Sequence, residues 1–390
     1  MKKAIFTICS RNYLAYALTL QRSVKTHEPD TPFFIYLADD PLDPGMAPDV
    51  QIIPARDLGL PMLLDMAFRY TVMEFNTAIK ADCFLDLLTR RGFDAAIYLD
   101  PDIQVFAPLA EVDSAFRNGA SAVLTPHVLG PLAPGVQPAE ADIMQSGIFN
   151  LGFGAFAATP ESLAFIEWWA GKLHTECYSA PEKGMFVDQR LVDFAPAFIA
   201  NLGILRHRGY NVAYWNLARR QVTAIGTGWK VNEEPLVFFH FSGVVPGARG
   251  VVSKHLGAGP QDASDAVFSL IHAYQDSLSA AGHAHWSAIP YAFGRFRDGS
   301  PILPPMRRHP PAKGTAEDWF AAPDANYWNS PDPRVDQKRG AAITRLMMGF
   351  WEMRPDLQLA FPLGREASRR GLRRWFFSHG KKEYGFEPKP

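Results

Sequence analysis

The apolar run Ala95-Ala96-Ile97-Tyr98-Leu99 closes on Asp100-Pro101-Asp102. Consecutive apolar residues without polar alternation predict a strand buried on both faces, the kind found in the sheet of an α/β fold. Such sheets bind nucleotides outside the carboxyl ends of their strands, so both acids are expected at a ligand edge. On extended backbone, carboxylates two residues apart point to one side, about 6–7 Å apart along the chain. That spacing suits a hard divalent cation paired with a diphosphate. The same tripeptide also reads as an Asp-Pro turn that caps whatever follows.

The remaining chain supplies the elements such a sheet needs. With 390 residues, 47% of them apolar, it can bury a large core and make two domains or one domain with an appendage. Strand patterns at 4–9, 32–37, 50–54 and 120–125 alternate with helix patterns at 13–26 and 70–90, which is βαβ grammar. A Pro- and Gly-rich loop at 127–140 is a candidate flap. The strand at 147–156 is interrupted by Gly147, Gly152, Gly154 and Asn150, and glycine inside a strand marks close approach of a ligand or backbone. Helices are expected at 160–176 and 186–194, and strands at 211–214 and 236–241. After His255 the composition shifts, predicting a first domain over 1–258 and a mostly helical, proline-rich extension over 259–390. Within the extension, 257–260 reads as a linker, 263–281 as a helix, and the proline-dense 301–311 as extended or irregular.

Several partner classes are excluded by composition. A formal net charge of −1 gives no electrostatic footprint for nucleic acid. Cys9, Cys83 and Cys177 are widely separated and match neither a zinc pattern nor a disulfide framework, which favours a reducing compartment and core packing. The apolar start stops at Ser10-Arg11-Asn12, too early for a signal peptide, and no stretch reaches the roughly 18–20 apolar residues of a membrane span. A cytoplasmic location is expected.

Four motifs then stand in a telling order: Tyr98-Leu99-Asp100-Pro101-Asp102, Asn150-Leu151-Gly152, Asp188-Gln189 and His240-Phe241-Ser242-Gly243. Over residues 1–258 the chain resembles GT-A glycosyltransferases, specifically the retaining family 8 enzymes of the galactosyltransferase and glycogenin-like group and their relatives among bacterial polysaccharide enzymes. The resemblance implies a Rossmann-like α/β domain. It also implies metal-dependent transfer of a hexose from a nucleoside diphosphate sugar, with UDP the expected nucleotide, to a glycan, lipid-linked or other hydroxyl acceptor, with retention. Beyond His240 the chain departs from that group's His-x-x-Gly-x-x-Lys-Pro-Trp ending, and Lys254, eleven residues after Gly243, is the candidate replacement for its lysine.

The resemblance assigns roles residue by residue, each beside a plainer reading. Asp100 and Asp102 match the acidic pair that holds a divalent metal on the diphosphate, and His240 matches the third protein ligand. An imidazole beside two carboxylates favours manganese over magnesium; the plainer reading of His240 is a satisfied core histidine. Asn150 matches a contact to donor sugar or acceptor, or marks a β-bulge. Asp188 and Gln189 match the polar pair beneath the anomeric carbon, as nucleophile or as stabiliser of an oxocarbenium-like state, or else Asp188 is an acid at a helix N-terminus. Lys80 matches a basic residue facing the donor's phosphates or sugar, or is a solvated surface charge. Thr7 and Ser10 match the nucleobase and ribose region, or are turn residues. The basic stretch 365–382, interleaved with Leu372, Trp375 and Phe376, is an amphipathic helix that either lies on an anionic membrane or packs on its own domain.

Two rival functions are set by the same residues. A sugar nucleotidyltransferase needs a glycine-rich basic loop after the first strand, where this chain has Ser10-Arg11-Asn12-Tyr13. A non-catalytic GT-A-like module would bind carbohydrate or a partner through the chain's many aromatic residues, a reading that retention of both acids disfavours.

Overall fold

The computed structural model describes residues 1–42, 50–226, 228–257, 263–311, 314–321, 325–335 and 342–380. Two compact units make up the chain: Met1–Leu60 with Glu74–Tyr291, and Pro61–Met73 with Ala292–Pro390.

The first unit is built on strands β1 (Lys3–Cys9), β2 (Phe33–Leu37), β3 (Gln51–Pro54), β4 (Ala95–Leu99), β5 (Ile103–Val105), β6 (Ala122–Pro126) and β7 (Phe149–Ala157). Later strands are β8 (Ser179–Ala180), β9 (Met185–Phe186), β10 (Leu202–Ile204), β11 (Val222–Ile225), β12 (Gly228–Val231), β13 (Glu234–Pro235) and β14 (Phe238–His240). Seven of them form a sheet in the order β10-β6-β7-β4-β1-β2-β3. Neighbours run parallel except at β7, which is antiparallel to both β4 and β6. This is an α/β fold on a mostly parallel sheet, and every residue of β4 and β7 is buried, as their apolar composition requires.

Two pairings bring distant motifs together. Strand β7 passes the carboxyl end of β4, and the Asp100 amide donates to the Gly152 carbonyl at 2.8 Å. Strand β5 pairs antiparallel with β14, setting Ile103 opposite His240, and the Phe241 amide donates to the Asp102 carbonyl at 2.8 Å. Beneath them lies a core that includes Leu99, Ile103, Phe153, Tyr210 and Phe238.

The second unit is helical in its described residues, with helices that include Leu63–Arg69, Arg345–Met353 and Glu366–Trp375. Buried Arg307 donates to the carbonyls of Ala67, Phe68 and Tyr70, satisfying groups that the end of the helix Leu63–Arg69 leaves unpaired. Leu372 and Phe376 are buried, Phe376 against Phe350, and Arg354 lies over the Trp375 ring. The apolar side of the basic helix is therefore used within its own unit; Lys381 and Lys382 fall outside the described residues. Among the described residues no helix is long and apolar enough to cross a membrane.

Several elements differ from the sequence pattern. Asp100-Pro101-Asp102 is not extended: the Ile103 amide donates to the Asp100 carbonyl at 3.0 Å, closing a β-turn with proline in its second position. The carboxylates converge because of that turn. The helix expected over 70–90 is broken into Val72–Ala78, Lys80–Leu85 and a π-helical turn Asp86–Arg90. The breaks turn Glu74, Lys80, Asp82 and Asp86 into the interior, where a straight amphipathic helix would hold charges to solvent. The segment 301–311 contains the helix Pro304–Arg308, because prolines at its first two positions surrender only amides that a helix start leaves unpaired. The helix expected from 186 begins at Gln189, the strand expected at 211–214 is a single bridge from Val212 to Phe239, and the small sheet β11-β12-β13 has no counterpart in the sequence reading.

Candidate active site

Asp100, Asp102 and His240 meet at the carboxyl end of β4. His240 Nε2 lies 3.1 Å from Asp102 Oδ1 and 3.6 Å from Asp100 Oδ2. One ligand atom from each of the three lies within 4.8 Å of the others, and among the described residues this is the one such group of three. Burial disfavours a charged His240, yet the charge and hydrogen bond of Asp102 and the charge of Asp100 outweigh it and raise its pKa above the ordinary value. Two carboxylates and an imidazole form a donor set that could hold a metal ion, and the packing around the imidazole is close. A methyl group on Gly152 would lie 2.6 Å from His240 Nδ1 and 2.8 Å from Asn150 Oδ1, so only glycine leaves the ring its place.

Two of the three side chains, those of Asp100 and His240, have a partner behind them. The Tyr98 hydroxyl donates to Asp100 Oδ1 at 2.5 Å. His240 Nδ1 and Asn150 Oδ1 are 3.2 Å apart. Asn150 continues into a buried polar cluster: its Nδ2 lies 3.2 Å from His127 Nε2 and 3.3 Å from Gln189 Oε1, and Asn211 Nδ2 reaches its Oδ1 at 3.2 Å. The His240 ring stands edge-on to Trp215, which in turn stands edge-on to His127.

A buried ion pair lies behind Tyr98. Lys80 Nζ is 2.5 Å from Asp188 Oδ2, donates to the Leu151 carbonyl at 2.8 Å, and sits 4.0 Å from the centre of the Tyr98 ring. Both side chains are all but inaccessible to solvent, which overturns the surface-charge reading of Lys80. Burial raises the pKa of Asp188 in spite of the Lys80 charge. Gln189 uses its whole amide internally: Oε1 accepts from the Leu151 amide at 2.9 Å and Nε2 donates to the Ser146 carbonyl at 2.7 Å.

The other sequence candidates divide. Thr7 and Ser10 are both buried; the Ser10 hydroxyl donates to Asn12 at 2.6 Å, and the Thr7 hydroxyl has no partner among the described residues. The exposed group at that strand end is Tyr13, stacked on Tyr16 at 4.4 Å and within the electrostatic reach of Asp102 and Asp100. Lys254 is brought back beside Gly243 despite the eleven-residue separation, its amide donating to the Gly243 carbonyl at 2.9 Å, and its side chain is exposed. At Gly243 (φ +74°) a side chain would run into Ser253 and the His255 ring. The loop 127–140 is tied by the Leu132 amide to Glu140 and by Arg219 to the Pro131 carbonyl.

His127, Asn211, Trp215 and Tyr13 were not marked by the sequence as site residues, nor was Asn216, whose Nδ2 donates to the His127 carbonyl at 3.0 Å. Only the spacing of His127 to the end of β6 could have pointed to the first. Burial holds the His127 pKa down to about 4, keeping it neutral. Because its unfolded value is 6.5, the unfolded chain binds the extra proton between pH 6.5 and about 4, and stability falls as pH falls through that window. The expected loss is about 3 kcal/mol. Chemical denaturation across the window should show a shallower fall for His127→Gln than for wild type; parallel curves would contradict a buried neutral His127.

No family profile matches the chain. The uncharacterized protein YfnF of Bacillus subtilis (strain 168) is 25% identical over 257 residues, covering 62% of this chain and 82% of that protein. The uncharacterized protein YfnD of the same organism is 24% identical over 245 residues, covering 61% of this chain and 76% of that protein. Among solved structures, the galactosyltransferase LgtC in complex with donor and acceptor sugar analogs is 13% identical, with 71% of this chain and 95% of that chain covered and a TM-score of 0.40. The bifunctional glycosyltransferase WbbM is 16% identical, with 54% and 40% covered and a TM-score of 0.36.

Proposed function

We propose that this chain is a metal-dependent, retaining glycosyltransferase that moves a hexose from a nucleoside diphosphate sugar, with UDP as the nucleotide, to a hydroxyl of a saccharide or lipid-linked acceptor. The observation that carries the reading is the convergence of Asp100, Asp102 and His240 at the carboxyl end of a central strand, where α/β sheets take nucleotides. These three side chains would hold a divalent cation, manganese in preference to magnesium. Bound there, the cation supplies positive charge against the charge that develops on a departing diphosphate. Lys254, exposed on the turn that follows His240, adds a cation on the same segment. Asp188, buried and paired with Lys80, would act through its negative charge on the positive charge that grows on an anomeric carbon during same-face substitution. The chain's neutral overall balance suits a small anionic donor bound at one focused site.

Asp102→Asn tests this. The amide keeps the side chain's shape and removes its charge, so manganese-dependent hydrolysis of UDP-hexose should fall by about 100-fold or more, at the upper end of what even outer-shell losses cost at metal sites. The melting temperature should stay near wild type. Unchanged hydrolysis and diphosphate affinity would sink the metal reading, and diphosphate binding without any hydrolysis in wild type would favour the binding-module alternative. Retention is checked on the product by proton NMR of the new linkage. A β product from an α donor would direct the search for a base to Glu140 and Asp142, both in the first turn of the helix Glu140–Ser146.

A further inference from the structure

Asn150 is where the chain does something the motif order does not announce, and the inference drawn from it rests on the metal reading above. Backbone groups determine every donor and acceptor in its cluster. The Ser146 carbonyl can only accept, so the Gln189 atom 2.7 Å from it is Nε2; the Leu151 amide can only donate, so the atom 2.9 Å from it is Oε1. Oε1 needs a donor, which makes the Asn150 atom 3.3 Å away Nδ2. The opposite end is settled independently, because the Gly152 amide can only donate and lies 3.2 Å from Asn150 Oδ1. His127 agrees: its Nδ1 faces the Ile148 carbonyl at 3.3 Å, leaving Nε2 to accept from Asn150 Nδ2.

The consequence falls on His240. Its Nδ1 lies 3.2 Å from Asn150 Oδ1, an oxygen fixed as an acceptor, so Nδ1 carries the proton. We propose that Asn150 is a positioning residue of the metal site: it sets His240 with its proton on Nδ1, so that Nε2 turns a lone pair toward Asp102 and Asp100. Nε2 then faces Asp102 and Asp100, where a proton joins the three groups in the metal-free site and a cation would take its place in the loaded one. The Asn150 amide is engaged within the protein through both Nδ2 and Oδ1.

The test titrates Mn2+ into the full-length chain, follows the free-ion EPR signal, and measures melting temperature on the same samples. Asn150→Leu removes the acceptor and is expected to weaken Mn2+ binding roughly 10- to 100-fold, the usual cost of an outer-shell partner. Asn150→Asp keeps an oxygen for the Nδ1 proton and should recover most of that loss. Equal affinity in wild type and Asn150→Leu overturns the assignment while the metal site stands. Equal weakening in both variants, in step with melting temperature, marks Asn150 as merely structural and overturns it as well. Should Asn150→Leu not fold, wild type labelled with 15N-histidine and loaded with 113Cd2+ decides: cadmium coupling is expected at His240 Nε2, and coupling at Nδ1 defeats the proposal. A wild-type chain that binds no Mn2+ defeats the metal reading first and this inference with it.

Discussion

Gly152→Ala is expected to abolish manganese binding while the sheet still folds. The added methyl would stand 2.6 Å from His240 Nδ1 and 2.8 Å from Asn150 Oδ1, both well inside van der Waals contact. Neither neighbour can yield cheaply. Asn150 is pinned by His127, Gln189 and Asn211, and the Gly152 backbone is pinned by the Asp100 amide. The ring of His240 must therefore leave its place, and Nε2 moves off Asp102. An overpacked core position costs about 1–3 kcal/mol, so the variant should fold with a lowered melting temperature. Calorimetric titration with Mn2+ should show no saturable binding in the range where wild type saturates. Wild-type affinity in Gly152→Ala would mean that His240 is not a ligand.

What the sequence makes legible here depends on how local the cause is. The strand Ala95–Leu99 and the acids that end it are legible because burial on both faces leaves a continuous apolar run, and the run has to stop where the polar ligand edge begins. His240 is legible for a similar reason, as the polar end of the apolar strand β14, and the pairing of β14 with β5 converts that placement into contact with Asp102. Lys80 is not legible. In a window of periodic apolar residues a lysine is assigned to solvent, and only its ion pair with Asp188, more than a hundred residues away, explains why it is buried. The same holds for Glu74, whose carboxylate accepts from the Ser179 amide, and for Asp86, which takes the Tyr36 hydroxyl. His127 looks in sequence like any loop residue, and Asn211 like the first residue of a short strand. Their roles come from a cluster whose members are drawn from 127, 150, 189, 211 and 240, and no local pattern encodes such a meeting. The β-turn at Asp100-Pro101-Asp102 shows a milder case, in which composition permits both strand and turn and the tertiary pairing of β5 selects the turn.

Lys80→Met is expected to be the most destabilising single substitution in the first unit, at about 3–5 kcal/mol, because it leaves a fully buried carboxylate on Asp188 without its cation. A solvated surface lysine would cost within about 0.5 kcal/mol, so the measurement separates the two environments cleanly. Burial already raises the Asp188 pKa with Lys80 in place, and without the lysine the carboxyl should stay protonated in the folded chain. The sign follows from that: a folded-state pKa above the unfolded one means that the folded chain binds the extra proton, so Lys80→Met should gain stability as pH falls toward the ordinary carboxylate range. The Leu151 carbonyl also loses its donor, which adds to the loss at every pH. The double variant Lys80→Met/Asp188→Leu removes both charges and should recover a large part of the stability, since replacing a buried pair by apolar groups is often neutral. Urea denaturation of wild type and the two variants at neutral and mildly acidic pH reads all of this. Activity should behave differently: Asp188→Leu removes the carboxylate whose charge is proposed to act on the anomeric carbon, so the double variant should fold, bind Mn2+ and diphosphate, and still fail to turn over UDP-hexose. A double variant that regains turnover along with stability would reduce Lys80 and Asp188 to packing and take the proposed stabilising carboxylate out of the mechanism.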